Sequence, residues 1–103
     1  MRKRADEIEN MADLRSVIDE IDGALMELLA ERMTYIDRAP VLKARVGIAA
    51  RAPSRVADVL AKVRAKAGAA GFDPEVAGDM WQVLIDAMIA REERVMGKEG
   101  QDG

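Results

Sequence analysis

One stretch of the sequence, residues 14–45, limits the possible folds more than any other because it carries one long apolar stripe. Apolar side chains recur there in alternating steps of four and three residues, as on one face of an α-helix: Leu14, Ile18, Ile21, Leu25 and Leu28. A helix of about thirty residues is about 45 Å long, whereas a compact domain of about 100 residues has a radius of gyration of about 13 Å. The rest of the chain is too short to cover such a stripe, so we expect an intertwined homodimer.

The sequence after this stretch predicts two more helices and no strand, so the fold class is all-α with three helices per chain. Pro53 suits the first turn of the second helix, which we expect to end in the glycine-containing segment 68–71. Asp73 and Pro74 form a typical helix start, an N-cap followed by proline at the first helical position. The third helix is expected to run to about Met96, before a glycine stop.

Other predictions concern the ends and the interior of the first helix. We expect Asp13 to be its N-cap, with helix upstream from Asp6 as the alternative. Residues 46–52, which lose the apolar pattern, are expected to form the loop after it. Pro40 removes a backbone donor and clashes with the preceding turn, so a kink or a local break is expected near residues 36–40, with helix resuming through Lys43. The resulting division is a flexible extension, a helical domain and a disordered tail: residues 1–10, 11–97 and 98–103.

Composition excludes several classes of chemistry. The 103 residues include no histidine and no cysteine, which rules out Ser-His-Asp and Cys-His mechanisms and disulfides and argues against a zinc site. A net charge of −3 and an aromatic share of 3% argue against a nucleic-acid surface. The basic residues 2–4 are not followed by an apolar run, so we expect no signal peptide, no membrane span and a cytoplasmic location.

Cations set along the first helix at long intervals are candidate binding residues. Arg32 occupies a position of the stripe where an apolar residue is due, and Lys43 follows eleven residues later, within about 20° of the same face. Arg15 precedes Arg32 by seventeen residues and points about 100° away from it. One anion could therefore bind Arg32 and Lys43, while Arg15 serves a different site, such as the partner's pocket.

Two residues outside the first helix join this set. Glu92 lies on the same face of the third helix as Met88, and Arg55 lies in the first turn of the second helix, where a cation suits the recruitment of a carboxylate. Each has a structural alternative. Arg32 could form a buried ion pair with a carboxylate, and Glu92 could form one with a cation. Lys43 and Arg55 could be solvated surface charges.

As a set, these charges resemble the pattern of the all-helical chorismate mutases of the AroQ type, over about residues 13–96. The gaps of 17, 11 and 12 residues between the four cations look like those of that family, as does the further gap of 37 to Glu92. The run Leu-Leu-Ala-Glu-Arg at 28–32 is also similar. Each motif is weak by itself, and their joint spacing on three helices makes the resemblance specific.

The resemblance implies an interlocked homodimer with two equivalent sites and the rearrangement of chorismate to prephenate, in aromatic amino acid biosynthesis, without a cofactor. By resemblance, Arg32 and the partner's Arg15 would bind the substrate carboxylates, with Arg55 assisting near the ring carboxylate. Lys43 would donate a hydrogen bond to the ether oxygen, and Glu92 would donate to it from the other side.

Some positions depart from the family pattern. Position 92 is often glutamine there, and a glutamate can donate a hydrogen bond only when protonated. If Glu92 is a donor, activity should fall as rising pH removes its proton, and glutamine at this position should flatten that fall. Ala52 and Val56 stand where acidic residues commonly bind the ring hydroxyl, and Met88, an expected substrate contact, stands where a small hydroxyl residue is common.

These departures leave other functions open beside the chorismate mutase, which is the first interpretation. With the runs Arg-Met-Thr-Tyr at 32–35 and Ala-Pro-Ser-Arg-Val at 52–56, the sequence also resembles the isochorismate pyruvate-lyases of salicylate formation. These enzymes eliminate pyruvate in a similar cationic pocket. A 4-amino-4-deoxychorismate mutase is a third possibility, since loss of the two acidic residues would alter preference at that ring position. The non-enzymatic alternative is a helical dimerisation module whose cations make only structural ion pairs.

Overall fold

The computed structural model describes residues 2–103, which form three α-helices and one short 3-10 helix. The elements are the 3-10 helix Ala5–Glu7 and the α-helices α1 (Met11–Val46), α2 (Pro53–Ala70) and α3 (Pro74–Met96). These bounds confirm the predicted all-α class with three helices. No helix within residues 2–103 has the length and apolar character needed to cross a bilayer. The chain divides into two compact units, one ending at Thr34 and the other formed by Tyr35–Gly103, which are described in turn.

In the first unit, α1 begins two residues earlier than the predicted cap. The Asn10 side-chain oxygen accepts the backbone N–H of Asp13 at 2.9 Å, and the Asp13 carboxylate accepts the Asn10 amide at 3.0 Å. Asn10 is therefore the cap, and the prediction that Asp13 caps the helix is wrong. The Asn10 amide can both accept and donate a hydrogen bond. The Asp13 carboxylate lies in the first turn, where it interacts favourably with the positive end of the helix dipole.

The residues before α1 make local contacts. Arg4 donates to the Glu7 carboxylate at 2.9 Å across the 3-10 turn, and Arg2 lies 3.9 Å from the Glu20 carboxylate. The predicted flexibility of residues 1–10 stays a prediction.

The apolar stripe of α1 is largely uncovered in the single chain. Four of its five members expose between 40% and 63% of their surface: Ile18, Ile21, Leu25 and Leu28. Leu14, the first member, is half-buried. Exposed apolar faces of this extent commonly mark interaction surfaces.

In the second unit, α1 continues without interruption through Pro40. The predicted local break is therefore wrong, while a kink, which an uninterrupted helix permits, stays a prediction. Pro40 is the one residue of α1 that is buried. Its burial helps to offset the lost backbone hydrogen bond and the steric clash that proline brings to a helix interior.

The ends of α2 and α3 follow the predicted local chemistry. Gly71 ends α2 in the left-handed conformation, with φ of 84°, which glycine adopts without steric cost. The Asp73 side chain caps α3 by accepting the backbone N–H groups of Glu75 and Val76 at 2.9 and 3.3 Å. Gly97, with φ of 76°, ends α3 by donating its N–H to the Glu93 carbonyl.

The core of the second unit lies where α2, α3 and the loop between α1 and α2 meet. Ala50 from that loop and Ile85 and Ile89 from α3 are buried together. The partly buried side chains that pack around them come from α2 and α3: Val56, Val59, Leu60, Trp81 and Met96. This packing fixes the loop against α3 and so determines which backbone groups of the loop face the end of α1.

The C-terminal tail lies against the same loop. The Gln101 N–H donates to the Gly47 carbonyl at 2.8 Å, and the Gln101 carbonyl accepts the Ala49 N–H at 2.9 Å. The Asp102 carboxylate accepts the backbone N–H and the hydroxyl of Ser54 at 3.1 and 2.8 Å. The structure thus gives Gln101 and Asp102 defined partners, and the predicted disorder of the tail over 98–103 stays a prediction.

Candidate active site

The centre of the site is a contact between α1 and α3. The Lys43 ammonium lies 3.0 Å from Oε1 of Glu92 and donates a hydrogen bond to the Ala50 carbonyl at 2.9 Å. The Glu92 side chain is 5% exposed and that of Lys43 is 23% exposed. Two of the predicted site residues therefore meet directly, and the loop carbonyl orients the ammonium.

Glu92 carries an unsatisfied polar atom. Although Oε1 lies at ion-pair distance from Lys43, this buried oxygen accepts no hydrogen bond from residues 2–103, because the contact lacks hydrogen-bond geometry. A buried polar atom without a hydrogen bond costs about 1–3 kcal/mol, so proteins keep few of them, and functional sites are one place where they occur. The Lys43 ammonium has three N–H donors, and Ala50 uses one. Both side chains can therefore bind a polar ligand group.

The register of α3 carries Glu92 into this position. Ile85 and Ile89 are buried in the core, and Met88 and Glu92, one turn apart, lie beside them. Met88 is half-buried. The predicted shared face of Met88 and Glu92 agrees with this burial, while the predicted contact of Met88 with a substrate stays a prediction.

Arg55 makes a local ion pair on α2. Its guanidinium lies 3.0 Å from the Asp58 carboxylate, which also accepts from Lys62 at 2.8 Å. Hydrogen bonds from Lys62, and then the pair with Arg55, hold the pKa of Asp58 below its ordinary value. The Arg55 side chain is 61% exposed, so a change of rotamer could redirect it towards a carboxylate ligand.

The two positions without the expected acids are used for packing. Ala52 is 3% exposed and precedes α2 as its cap, where it offers no side-chain hydrogen bond. Val56 packs against the core around Ala50. Neither position presents a polar group to a substrate.

Arg15 and Arg32 lie on α1 in the first unit. Arg15 is exposed and Arg32 is half-buried. Within that unit, as far as it is described, neither has a carboxylate within 4 Å, so Arg32 does not form the alternative buried ion pair there. Their predicted contacts with substrate carboxylates stay predictions.

A second ion pair beside Glu92 was missed by the sequence analysis. Nε and Nη2 of Arg91 donate to the two carboxylate oxygens of Asp37 at 2.6 and 2.9 Å. Both residues line a cleft of about 300 Å³ together with Glu92 and three others: Pro40, Arg94 and Val95. No motif in the sequence marks Asp37 or Arg91, although Arg91 directly precedes Glu92.

Comparison with known proteins gives a consistent result. Residues 14–93 match the family described as chorismate mutase type II. The chain is 29% identical over 79 residues to the chorismate mutase of Methanocaldococcus jannaschii, an alignment that covers 77% of this chain and 80% of that protein. It is also 29% identical over 86 residues to the 4-amino-4-deoxychorismate mutase of Streptomyces venezuelae, with 84% of each chain covered.

A longer relative matches over part of its length. The T-protein of Enterobacter agglomerans is 34% identical over 73 residues, which are 71% of this chain and 20% of the relative. The chain thus spans about a fifth of the length of that protein.

Proposed function

The chain belongs to the type II chorismate mutase family, and we propose that it catalyses the rearrangement of chorismate to prephenate. The observation that carries the proposal is the contact between Lys43 and Glu92, two residues that the resemblance assigned to the reacting ether oxygen. We further propose a cytoplasmic enzyme of aromatic amino acid biosynthesis. None of the matched proteins described above supports the isochorismate pyruvate-lyase alternative.

The reaction requires no nucleophile, which suits a chain without histidine or cysteine. One ether C–O bond breaks and one C–C bond forms within a single molecule, so no atom is gained or lost. The site has to hold the substrate in its compact conformer and stabilise the charge that develops on the ether oxygen. Lys43, held by the Ala50 carbonyl in a largely water-excluded position, supplies a preorganised donor for that charge.

Glu92 is proposed to donate to the same oxygen from the opposite side. This role requires a proton on the carboxyl group in the complex with substrate. A Glu92→Gln variant, whose amide donates at every pH, should show a flatter pH profile, and an unchanged profile would contradict the donor role.

The direct test is a product assay with purified protein and chorismate. Replacing Lys43 with alanine should lower kcat by about 100-fold or more, the usual effect of removing one such donor. Lys62→Ala is the matched control, since this exposed lysine pairs with Asp58 on α2. Absence of prephenate with the unmodified protein would contradict the proposed function, and full activity of Lys43→Ala would contradict the role of Lys43.

We also propose that the active form is a homodimer in which Arg15 of each chain completes the other chain's site. The exposed stripe on α1 supports this, since isolated chains rarely leave so continuous an apolar face in water. Leu25→Glu, on the stripe, should give an 11.3-kDa monomer in sedimentation equilibrium. Ala30→Glu, on the opposite face of α1, should leave the dimer intact. A monomeric unmodified protein would refute the proposal.

A second substrate is favoured by one observation. The Streptomyces venezuelae relative is named a 4-amino-4-deoxychorismate mutase and aligns over most of both chains, and Ala52 and Val56 offer no acid to a ring hydroxyl. Parallel assays with the two substrates decide between them. We expect the higher kcat/KM for chorismate. A higher kcat/KM for the amino substrate would mean that the chain is a 4-amino-4-deoxychorismate mutase.

A further inference from the structure

The Asp37–Arg91 pair has a geometry that fixes the relative position of two helices. The guanidinium uses Nε and Nη2 on separate carboxylate oxygens, at 2.6 and 2.9 Å, so two nearly parallel hydrogen bonds join α1 to α3. Such a bidentate contact, or fork, restricts both the distance and the relative orientation of the two side chains. A single ammonium contact restricts mainly the distance.

The pair joins the same two helices as the Lys43–Glu92 contact. Arg91 is the residue before Glu92 on α3, and Asp37 precedes Lys43 by six residues, which is about 9 Å along α1. Pro40 is buried between these two positions of α1 and lines the same cleft as Asp37, Arg91 and Glu92. A shift of α3 along α1 would therefore move Glu92 and break the fork together.

The Lys43–Glu92 contact does not fix its own geometry. Oε1 of Glu92 accepts no hydrogen bond within residues 2–103, so the ammonium attracts the carboxylate without defining its direction. The position of the carboxylate therefore depends on the backbone of α3 and on the contacts that hold α3 in place. The structure describes two ion pairs between α1 and α3. One is the Lys43–Glu92 contact, and the second is the fork formed by Asp37 and Arg91.

We propose that Asp37 and Arg91 are positioning residues that hold α3 against α1 so that Glu92 and Lys43 face the reacting oxygen together. This inference rests on the proposed function, since it concerns the same site. In this role the pair acts through Glu92 and not by contact with the reacting atoms. A displacement of about 1 Å at a reacting group can cost about 100-fold in rate. The effect of the fork should therefore be measured on the rate of the reaction.

The exposure of the pair agrees with a geometric role. The side chains of Asp37 and Arg91 are 46% and 40% exposed, and ion pairs this exposed contribute little to stability. The hydrogen bonds from Arg91 lower the pKa of Asp37, and those to Asp37 raise the pKa of Arg91. The fork therefore stays ionised across the neutral pH range.

The kinetic test uses Arg91→Lys, which keeps the charge and removes the planar fork. We expect kcat for prephenate formation to fall about tenfold or more with KM within twofold of the unmodified value, because the substrate carboxylates bind to other residues. Asp37→Asn should show the same fall in kcat with little change in KM. It replaces Arg91→Lys in the test if that variant folds poorly. Asp86→Asn is the matched control, since Asp86 also joins α3 to another segment, through Arg51 at 3.1 Å, with similar exposure.

Two kinetic outcomes would overturn the inference: kcat within twofold of the unmodified value in both variants, or an equal loss in Asp86→Asn. A second measurement needs no turnover. If the fork sets the geometry of the other pair, Arg91→Lys and Lys43→Met are energetically coupled. The unfolding equilibrium constant of the double variant should then differ at least threefold from the value expected for independent effects.

The two measurements separate failure of this inference from failure of the proposed function. An unmodified protein that forms no prephenate refutes the function, while the unfolding cycle still decides whether the fork positions Glu92 and Lys43. Independent effects in that cycle would overturn the inference even if the protein is a chorismate mutase.

Discussion

Replacing Lys43 with methionine should destabilise the fold through the carboxylate that it leaves behind. Glu92 is 4% exposed, and Lys43 is the cation within 4 Å of it among residues 2–103. Removing one partner of a buried ion pair costs about 3–5 kcal/mol, mainly because the remaining charge is uncompensated. Lys43 is itself 23% exposed, so water can enter its place, and we expect the lower end of that range, about 3 kcal/mol.

Adding Glu92→Gln to Lys43→Met should recover part of this loss. The double variant has no buried charge, and its remaining cost is that of an amide with imperfect hydrogen bonding, about 1–2 kcal/mol. The double variant should therefore be more stable than Lys43→Met by about 1–2 kcal/mol. This order is unusual, because a second substitution in a core normally adds to the damage of the first.

The assay is urea unfolding followed by circular dichroism at pH 7, at one fixed chain concentration because association changes apparent stability. Lys62→Met is the control, since this exposed lysine pairs with Asp58 and should cost less than about 1 kcal/mol. The reasoning is refuted if Lys43→Met costs as little as Lys62→Met. It is also refuted if the double variant is less stable than Lys43→Met.

Local contacts elsewhere determine the expected effects of three other substitutions. Asp102→Ala removes the acceptor for the Ser54 N–H in the first turn of α2 and should lower the free energy of unfolding by about 1 kcal/mol in urea titration; an unchanged midpoint would contradict this. Gly23→Ala adds a Cβ with no atom within 4 Å and should raise the melting temperature through a gain of about 0.5–1 kcal/mol, whereas a decrease would mean that Gly23 packs against another chain. Because Arg91 lowers the pKa of Asp37 from 3.8, the stabilisation by Asp37 is complete above pH 3.8 and is lost as pH falls through the lowered value. The stability difference between the unmodified protein and Asp37→Asn should therefore shrink in acid, and a difference that grows in acid would contradict it.

The elements and most of their ends could be predicted because the signals are local. Pro53, Asp73 and Gly97 act through their own backbone and side chain within one helical turn, so their neighbours in the fold do not change the outcome. The start of α1 was misplaced because Asn10 and Asp13 are both good caps three residues apart. Their mutual hydrogen bonds decide between them, and those are visible only in the structure.

The contacts between elements could be predicted only in part. An ion pair between Glu92 and a cation is one structural alternative that the sequence allows, and the structure forms it with Lys43. The pair is thus both a structural contact and the centre of the proposed site. The third participant, the Ala50 carbonyl, is a backbone group on a loop, and no side-chain pattern identifies it.

The Asp37–Arg91 fork and the backbone contacts of the tail could not be predicted for a related reason. Charged residues on helix surfaces are common, so one aspartate and one arginine separated by 54 residues give no signal. The tail pairs through the backbone of Gln101, which composition does not reveal. Pro40 shows the opposite case, since its strong local signal for a break was outweighed by burial in the fold.

The measurement that tests the central claim most directly is complementation between two inactive variants, Arg15→Ala and Lys43→Ala. If each site takes Lys43 from one chain and Arg15 from the other, a mixed dimer has one intact site and one site that lacks both residues. Unfolding the two variants together and refolding them should give half mixed dimers and restore about a quarter of the chorismate mutase activity of the unmodified protein. Refolding each variant alone should restore none. No recovery in the mixture, with the unmodified protein active after the same treatment, would contradict a site shared between two chains.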